Sequence, residues 1–113
     1  MLSGCAASHP PAPADLRTET GVASFYGDEF KGRRMASGER YDPTDLIAAH
    51  RTLPFGTRVR VTNLANGHDV VVTVQDRGPF VKGRVVDVSR EAAEQLDFVR
   101  QGTTRVKLEP LSK

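Results

Sequence analysis

The chain has little with which to brace or decorate itself. Its 113 residues hold one cysteine, Cys5, so no disulfide can join two of its parts and no cysteine-based metal site can form. No apolar run reaches the length of about 18 residues that a membrane-crossing helix needs. The paired-histidine spacing of metallopeptidases is absent, as are the glycine-rich loops that cradle nucleotide phosphates. Ser37-Gly38 lies in an early polar segment, outside the strand–turn–helix setting of a serine nucleophile. Charge of one sign is also in short supply: 16 Lys and Arg face 14 Asp and Glu, a net charge of +2. The basic residues are scattered among acids instead of clustered, which speaks against nucleic acid as a partner. An anionic polysaccharide fits that mild balance equally well. These absences predict no cofactor and no metal, and a core held by packing alone.

What is present begins with two contrasting stretches. Leu2-Ser3-Gly4-Cys5 is similar to a bacterial lipobox, in which the cysteine becomes the lipidated first residue of the mature protein. Lipidation at Cys5 would tie the chain to a membrane; an unstructured tail with a free thiol is the alternative. The Pro/Ala-rich stretch Ala6–Ala14 has no periodic apolar face and reads as a solvated tether. Residues 1–19 are thus expected to be start and tether, 20–109 a single small domain, and 110–113 a tail. A monomer is expected.

Within the domain the period-2 pattern dominates. Gly21–Gly27 reads as a strand bounded by glycines, and Asp28–Arg40 as a turn-rich loop with room for one helical turn. Leu46–His50, lying between Pro43 and Pro54, reads as a short strand. Thr57–Asn63 alternates cleanly, Asn66-Gly67 signals a hairpin, and Val70–Val74 returns as a valine-rich strand of the kind buried on both faces. Val85–Val88 is another strand. Ser89 stands where a helix cap belongs, ahead of Arg90–Leu96, whose inward residues are Ala92, Ala93 and Leu96. Thr103–Leu108 alternates again. Five or six short strands with one helix predict a mainly β fold closed into a small barrel, since closure removes the exposed edges.

Acid–base groups gather in three places. Glu39 and Asp42 share a polar loop, and His50 ends an apolar strand where the chain turns into Arg51–Pro54. Asp76 follows the most apolar strand, and Gly78-Pro79 then bends the backbone away. A carboxyl at a rigid strand end among valines and Phe80 is a fitting place for a general acid. Asp76 read as a turn cap, Glu39 and Asp42 as solvated loop carboxylates, and His50 as a hydrogen-bonded structural histidine are the plainer alternatives. Together these four residues also offer metal-type donors, though without a metal-binding spacing.

These same residues carry a resemblance. Gly21–Gly27, Met35-Ala36-Ser37-Gly38-Glu39, Ala48–Thr57, Val61-Thr62-Asn63, Asn66-Gly67 and Asp76-Arg77-Gly78-Pro79-Phe80 resemble, in order and spacing, the rare lipoprotein A (RlpA-like) family. The match runs from about Thr20 to Leu108. It implies a six-stranded double-psi β-barrel with one or two short helices. The implied activity is that of a septal lytic transglycosylase, a lyase acting on peptidoglycan glycan strands without stem peptides. Cleavage between N-acetylmuramic acid and N-acetylglucosamine would leave 1,6-anhydro ends. The family's active-site residues map onto Glu39, Asp42, His50 and Asp76. Tyr26, Arg77 and Phe80 are candidates for substrate binding, and the bacterial cell envelope is the expected location. Met35 stands where many members carry threonine, and residues 1–113 are not expected to hold the C-terminal glycan-binding repeat found in several members. Septal recruitment through such a repeat is therefore not expected from this stretch. Related barrels in expansin-like proteins loosen polysaccharide without cutting it, so a non-catalytic wall-binding module is the alternative function. A metal-dependent amidase or peptidase is a more distant one.

Overall fold

The computed structural model describes residues 18–112. Cys5, the lipobox-like start and the Pro/Ala-rich stretch lie outside the described residues. Six strands follow one another along the chain: β1 (Glu19–Phe25), β2 (Ile47–Ala49), β3 (Arg58–Asn63), β4 (Asp69–Asp76), β5 (Arg84–Val88) and β6 (Thr104–Ser112). Among the described residues, one helix, α1 (Arg90–Leu96), lies between β5 and β6, and one 3-10 turn covers Asp28–Phe30.

The strands close into a barrel in the order β1-β5-β2-β4-β3-β6, with β6 returning to β1. β1–β5 and β2–β4 pair in parallel, and the other neighbours run antiparallel. Inward-facing residues alternate as period 2 requires. Val59 and Val61 of β3, Val70, Val72 and Val74 of β4, Val86 and Val88 of β5, and Val106 and Leu108 of β6 form one core. Ala92, Ala93 and Leu96 of α1 join it, together with Phe98 and Leu53.

Local chemistry explains the joints. Ser89 Oγ accepts from the Ala92 amide at 3.2 Å and starts α1, satisfying one of its unpaired donors. Asn63, fully buried, ties three elements together: its Nδ2 donates to the Leu96 carbonyl at 2.8 Å, and its Oδ1 accepts from the Ala65 amide and the Thr104 hydroxyl. Gly67 supplies the left-handed residue (φ 84°) that the β3–β4 turn needs.

Two expectations change. β4 is not buried on both faces: Val71 and Thr73, on its outer side, are half-buried. The hairpin signalled by Asn66-Gly67 is present: β3 and β4 pair antiparallel, with the Asn63 amide donating to the His68 carbonyl across the turn. β6 continues through Ser112, because Pro110 and Ser112 pair with Val59 and Arg58 of β3; residues 110–112 are barrel and not tail.

A second, smaller core sits outside the barrel. Ile47 faces outward from β2 and packs with Met35 and Tyr41, against which Tyr26 rests. This cluster fastens the long β1–β2 connection over the outer face of β2. Met35 is thus a packing residue here.

Candidate active site

Period 2 alone would send Asp76 into the barrel, on the face that carries Val70, Val72 and Val74. It does not go there. Across the β2–β4 pair Ala48 faces Val74, and Ala49 faces Asp76, so Gln75 is an extra residue on β4. Such a bulge rotates the next residues of its strand onto the other face. Asp76 therefore shares the outer face with Ala49. On the far side of β2, Ala49 faces Asp87 of β5. Three paired residues, Asp76, Ala49 and Asp87, consequently form a row across β4, β2 and β5.

The Asp76 carboxylate is held firmly. Oδ2 accepts from the Tyr26 hydroxyl at 2.5 Å, and Oδ1 accepts from the amides of Ala36 (2.8 Å) and Arg77 (2.9 Å). The Ala36 amide comes from the loop that also carries Glu39, so the outer cluster and the strand end are joined at this carboxylate. Burial, and then the hydrogen bond and charge of Asp76, push the Tyr26 hydroxyl far above its ordinary value, so it keeps its proton and acts as the donor.

Asp76 lines a groove of about 350 Å³ with Ala49, Asp87 and Arg84, walled by Phe25, Tyr26, Phe30, Pro79 and Phe80. Phe80 is 78% exposed, and Val81 beside it is half exposed. Phe80 is therefore no cover for Asp76, contrary to the sequence expectation; Gly78, at φ 119°, turns the backbone so that the ring stands at the groove's edge. Both cations of the groove are occupied. Arg77 Nη1 donates to the carbonyls of His50 (3.2 Å) and Leu53 (2.8 Å), and its guanidinium lies 4.1 Å from the Phe55 ring centroid. Arg84 Nη2 donates to Asp87 Oδ1 at 2.7 Å.

Of the residues singled out from sequence, the groove brings together Asp76, Tyr26, Arg77 and Phe80. Glu39 and Asp42 line a neighbouring hollow of about 550 Å³ with Tyr41 and Lys31. Tyr26 of the groove stacks on Tyr41 of the hollow, ring centroids 4.6 Å apart. Asp42 Oδ1 accepts from both the amide and the hydroxyl of Thr44, and these bonds hold its carboxyl below the ordinary range. Asp42 therefore caps its own turn.

His50 lines neither hollow. It is buried, its Nδ1 accepts from the Thr52 and Leu53 amides, and Nε2 meets Glu19 Oε1 at 3.0 Å. With Nδ1 accepting, the ring hydrogen sits on Nε2 and donates to Glu19. His50 thus braces the turn whose carbonyls grip Arg77, and its own amide donates to the Asp76 carbonyl at 3.1 Å. Among the described residues no group of three or more His, Cys, Asp or Glu is arranged to hold a metal.

Sequence reading passed over Asp87 and Ala49. The signal for Asp87 was its place as the one polar residue inside Val85–Val88.

The chain is similar to known proteins. The family model described as "Lytic transglycolase" matches residues 18–108. An endolytic peptidoglycan transglycosylase RlpA from Neisseria meningitidis serogroup A is 54% identical over 94 residues, covering 83% of this chain and 39% of that protein. The RlpA proteins of Rickettsia felis and Pseudomonas aeruginosa are each 53% identical, covering 92% and 89% of this chain but 47% and 30% of their own. The chain thus spans less than half the length of these curated relatives. Among solved structures, a Streptomyces papain inhibitor superposes with a TM-score of 0.68 at 24% identity, covering 84% of this chain and 94% of its own. An expansin of Clavibacter michiganensis superposes with a TM-score of 0.66 at 23% identity, over 86% and 52%. These two likenesses concern the fold alone, the double-psi β-barrel.

Proposed function

The chain belongs to the RlpA-like lytic transglycolase family, and we propose that its groove cleaves peptidoglycan glycan strands without water. The observation that carries this reading is Asp76, set on a rigid strand end and seated by three donors in an open groove of sugar-ring size. Glycosidic cleavage calls for a carboxyl that can deliver and recover one proton at a fixed place.

The bond between C1 of N-acetylmuramic acid and O4 of N-acetylglucosamine breaks, and its electron pair leaves on O4. The muramoyl O6 attacks C1, forms the 1,6-anhydro bond and gives its proton to the Asp76 carboxylate, and O4 takes that proton from Asp76 as it leaves. No water enters, and Asp76 ends as it began. The attacking hydroxyl belongs to the same sugar, so proximity favours it over solvent.

Tyr26 fixes Asp76, and Phe80 offers an exposed ring on which a sugar can stack. Arg77 lines the groove but acts as a brace for the turn below it. Glu39 and Asp42 border the hollow where neighbouring sugars of the strand would lie, and His50 positions the Asp76 backbone. Strands lacking stem peptides suit this groove, because its two cations are already committed and none is left for peptide carboxylates. The protein works in the bacterial cell envelope, held to a membrane through Cys5.

The test is to digest peptide-free glycan strands with the purified protein and search the products by mass spectrometry for 1,6-anhydro ends. Asp76→Asn should lower their formation by about 10²–10⁴-fold, the usual worth of a general acid–base group, with glycan retention kept. Retention without any products from the unaltered protein would leave the wall-loosening alternative. Chelator-sensitive release of peptides would favour an amidase.

A further inference from the structure

We propose that Asp87 is the second carboxylate of the reacting groove, and that Ala49 is the floor on which the cleaved sugar sits between it and Asp76. This deepens the glycan-cleaving reading and rests on it. Register is the first observation: Asp76 pairs with Ala49, and Ala49 pairs with Asp87. Paired residues point to the same face, and two strand spacings amount to about 10 Å between the outer backbones. Two carboxylates therefore flank the smallest side chain that still has a Cβ. Ala49 is 3% exposed yet lines the groove, and it lies outside the barrel's core cluster.

The state of the two carboxylates is the second observation. Asp76 has both oxygens engaged, by Tyr26 and by two amides. Asp87 has Oδ1 fixed by Arg84 at 2.7 Å, while Oδ2 accepts no hydrogen bond from the described residues. Its side chain is 21% exposed, on the groove. Arg84 thus aims Asp87 without using up its second oxygen.

The chemistry needs such a group. As the C1–O4 bond breaks, positive charge grows at C1 and the ring oxygen. A fixed carboxylate facing that charge lowers the barrier and costs no rearrangement when the reaction occurs. Asp87 forms no bond and moves no proton; Asp76 carries the proton, and O6 supplies the electron pair. The alternation that buries Val86 and Val88 turns Asp87 outward, so the group is preorganised by the barrel itself.

The experiment measures kcat and KM for anhydro-end formation on peptide-free glycan strands, with retention on insoluble peptidoglycan and Tm measured alongside. Asp87→Asn should lose about 100-fold or more in kcat, with KM changed less than about threefold. Ala49→Val should raise KM about tenfold and weaken retention equally, because two added methyls fill the seat. Glu91→Gln, on α1 and outside the groove, should match the unaltered protein. A folded Asp87→Asn within about threefold of the unaltered kcat overturns the proposal. So does Ala49→Val with unchanged KM and retention. Should Asp87→Asn fail to fold, Asp87→Glu keeps the charge for Arg84 but displaces it, and an unchanged kcat there is equally fatal. If the unaltered protein makes no anhydro ends, the cleavage reading fails and with it the catalytic part of Asp87; loss of retention in Ala49→Val would still uphold the seat.

Discussion

Replacing Tyr26 with phenylalanine removes one oxygen and leaves the ring. The ring keeps its stack on Tyr41 at 4.6 Å and its edge contact with Phe30 at 5.8 Å, so little apolar burial is lost. The hydroxyl's bond to Asp76 Oδ2 at 2.5 Å disappears. A hydrogen bond to a charged partner contributes about 1.5–3 kcal/mol. Water in the open groove can partly replace the donor, so the net cost should fall to about 1–2 kcal/mol. In a domain of this size that is a loss of about 4–16 °C in Tm at neutral pH. The pH dependence adds a sharper test. Folding raises the Tyr26 value above the ordinary 10.0, so the neutral form is favoured in the folded state. The unfolded chain begins to ionise this tyrosine near pH 10, so the stabilisation is complete below that pH and is lost as pH rises above it. The Tm gap between the native protein and Tyr26→Phe should therefore be widest near neutrality and shrink above about pH 10. Circular dichroism melts across pH 7–11 measure it, and absorbance at 295 nm should show little tyrosinate until unfolding. A gap that stays constant into alkali, or no gap at pH 7, would refute the account of how Asp76 is seated.

Two further outcomes are expected. Asn63→Ala should cost about 2–3 kcal/mol in urea melts, since the donor to the Leu96 carbonyl and the acceptor for Ala65 and Thr104 vanish together; a cost below about 0.5 kcal/mol would deny Asn63 its place as a joint. Thr44→Val removes the hydroxyl that, after the Thr44 amide, holds the Asp42 carboxyl down, so carbon-detected NMR should find Asp42 titrating at higher pH than in the native protein. The stabilisation from Asp42 is present above its unfolded value and lost as pH falls through the depressed one, so Thr44→Val should flatten the decline of Tm in acid.

The family resemblance and the local patterns agreed because both rest on short-range constraints. Alternating valines, a cap serine ahead of Arg90–Leu96 and a glycine in the β3–β4 turn each satisfy their own backbone within a few residues, so they can be read without coordinates. The place of Asp76 was legible for the same reason: a charged residue ends an apolar strand. His50 was open to two readings, and its bonds to Thr52, Leu53 and Glu19 favour the structural one.

The strands, the helix and the place of one carboxyl at a strand end were written in neighbouring residues. The partners of that carboxyl were not. Whether Asp76 points inward or outward turns on one extra residue, Gln75, whose effect exists only when β4 is aligned with β2. Ala49 and Asp87 come from elements 27 and 11 residues away from Asp76 in sequence, and only barrel closure sets them in one row. Local sequence governs what each strand is, because propensity and alternation act within it; register between strands is a long-range property, and the groove is made of register.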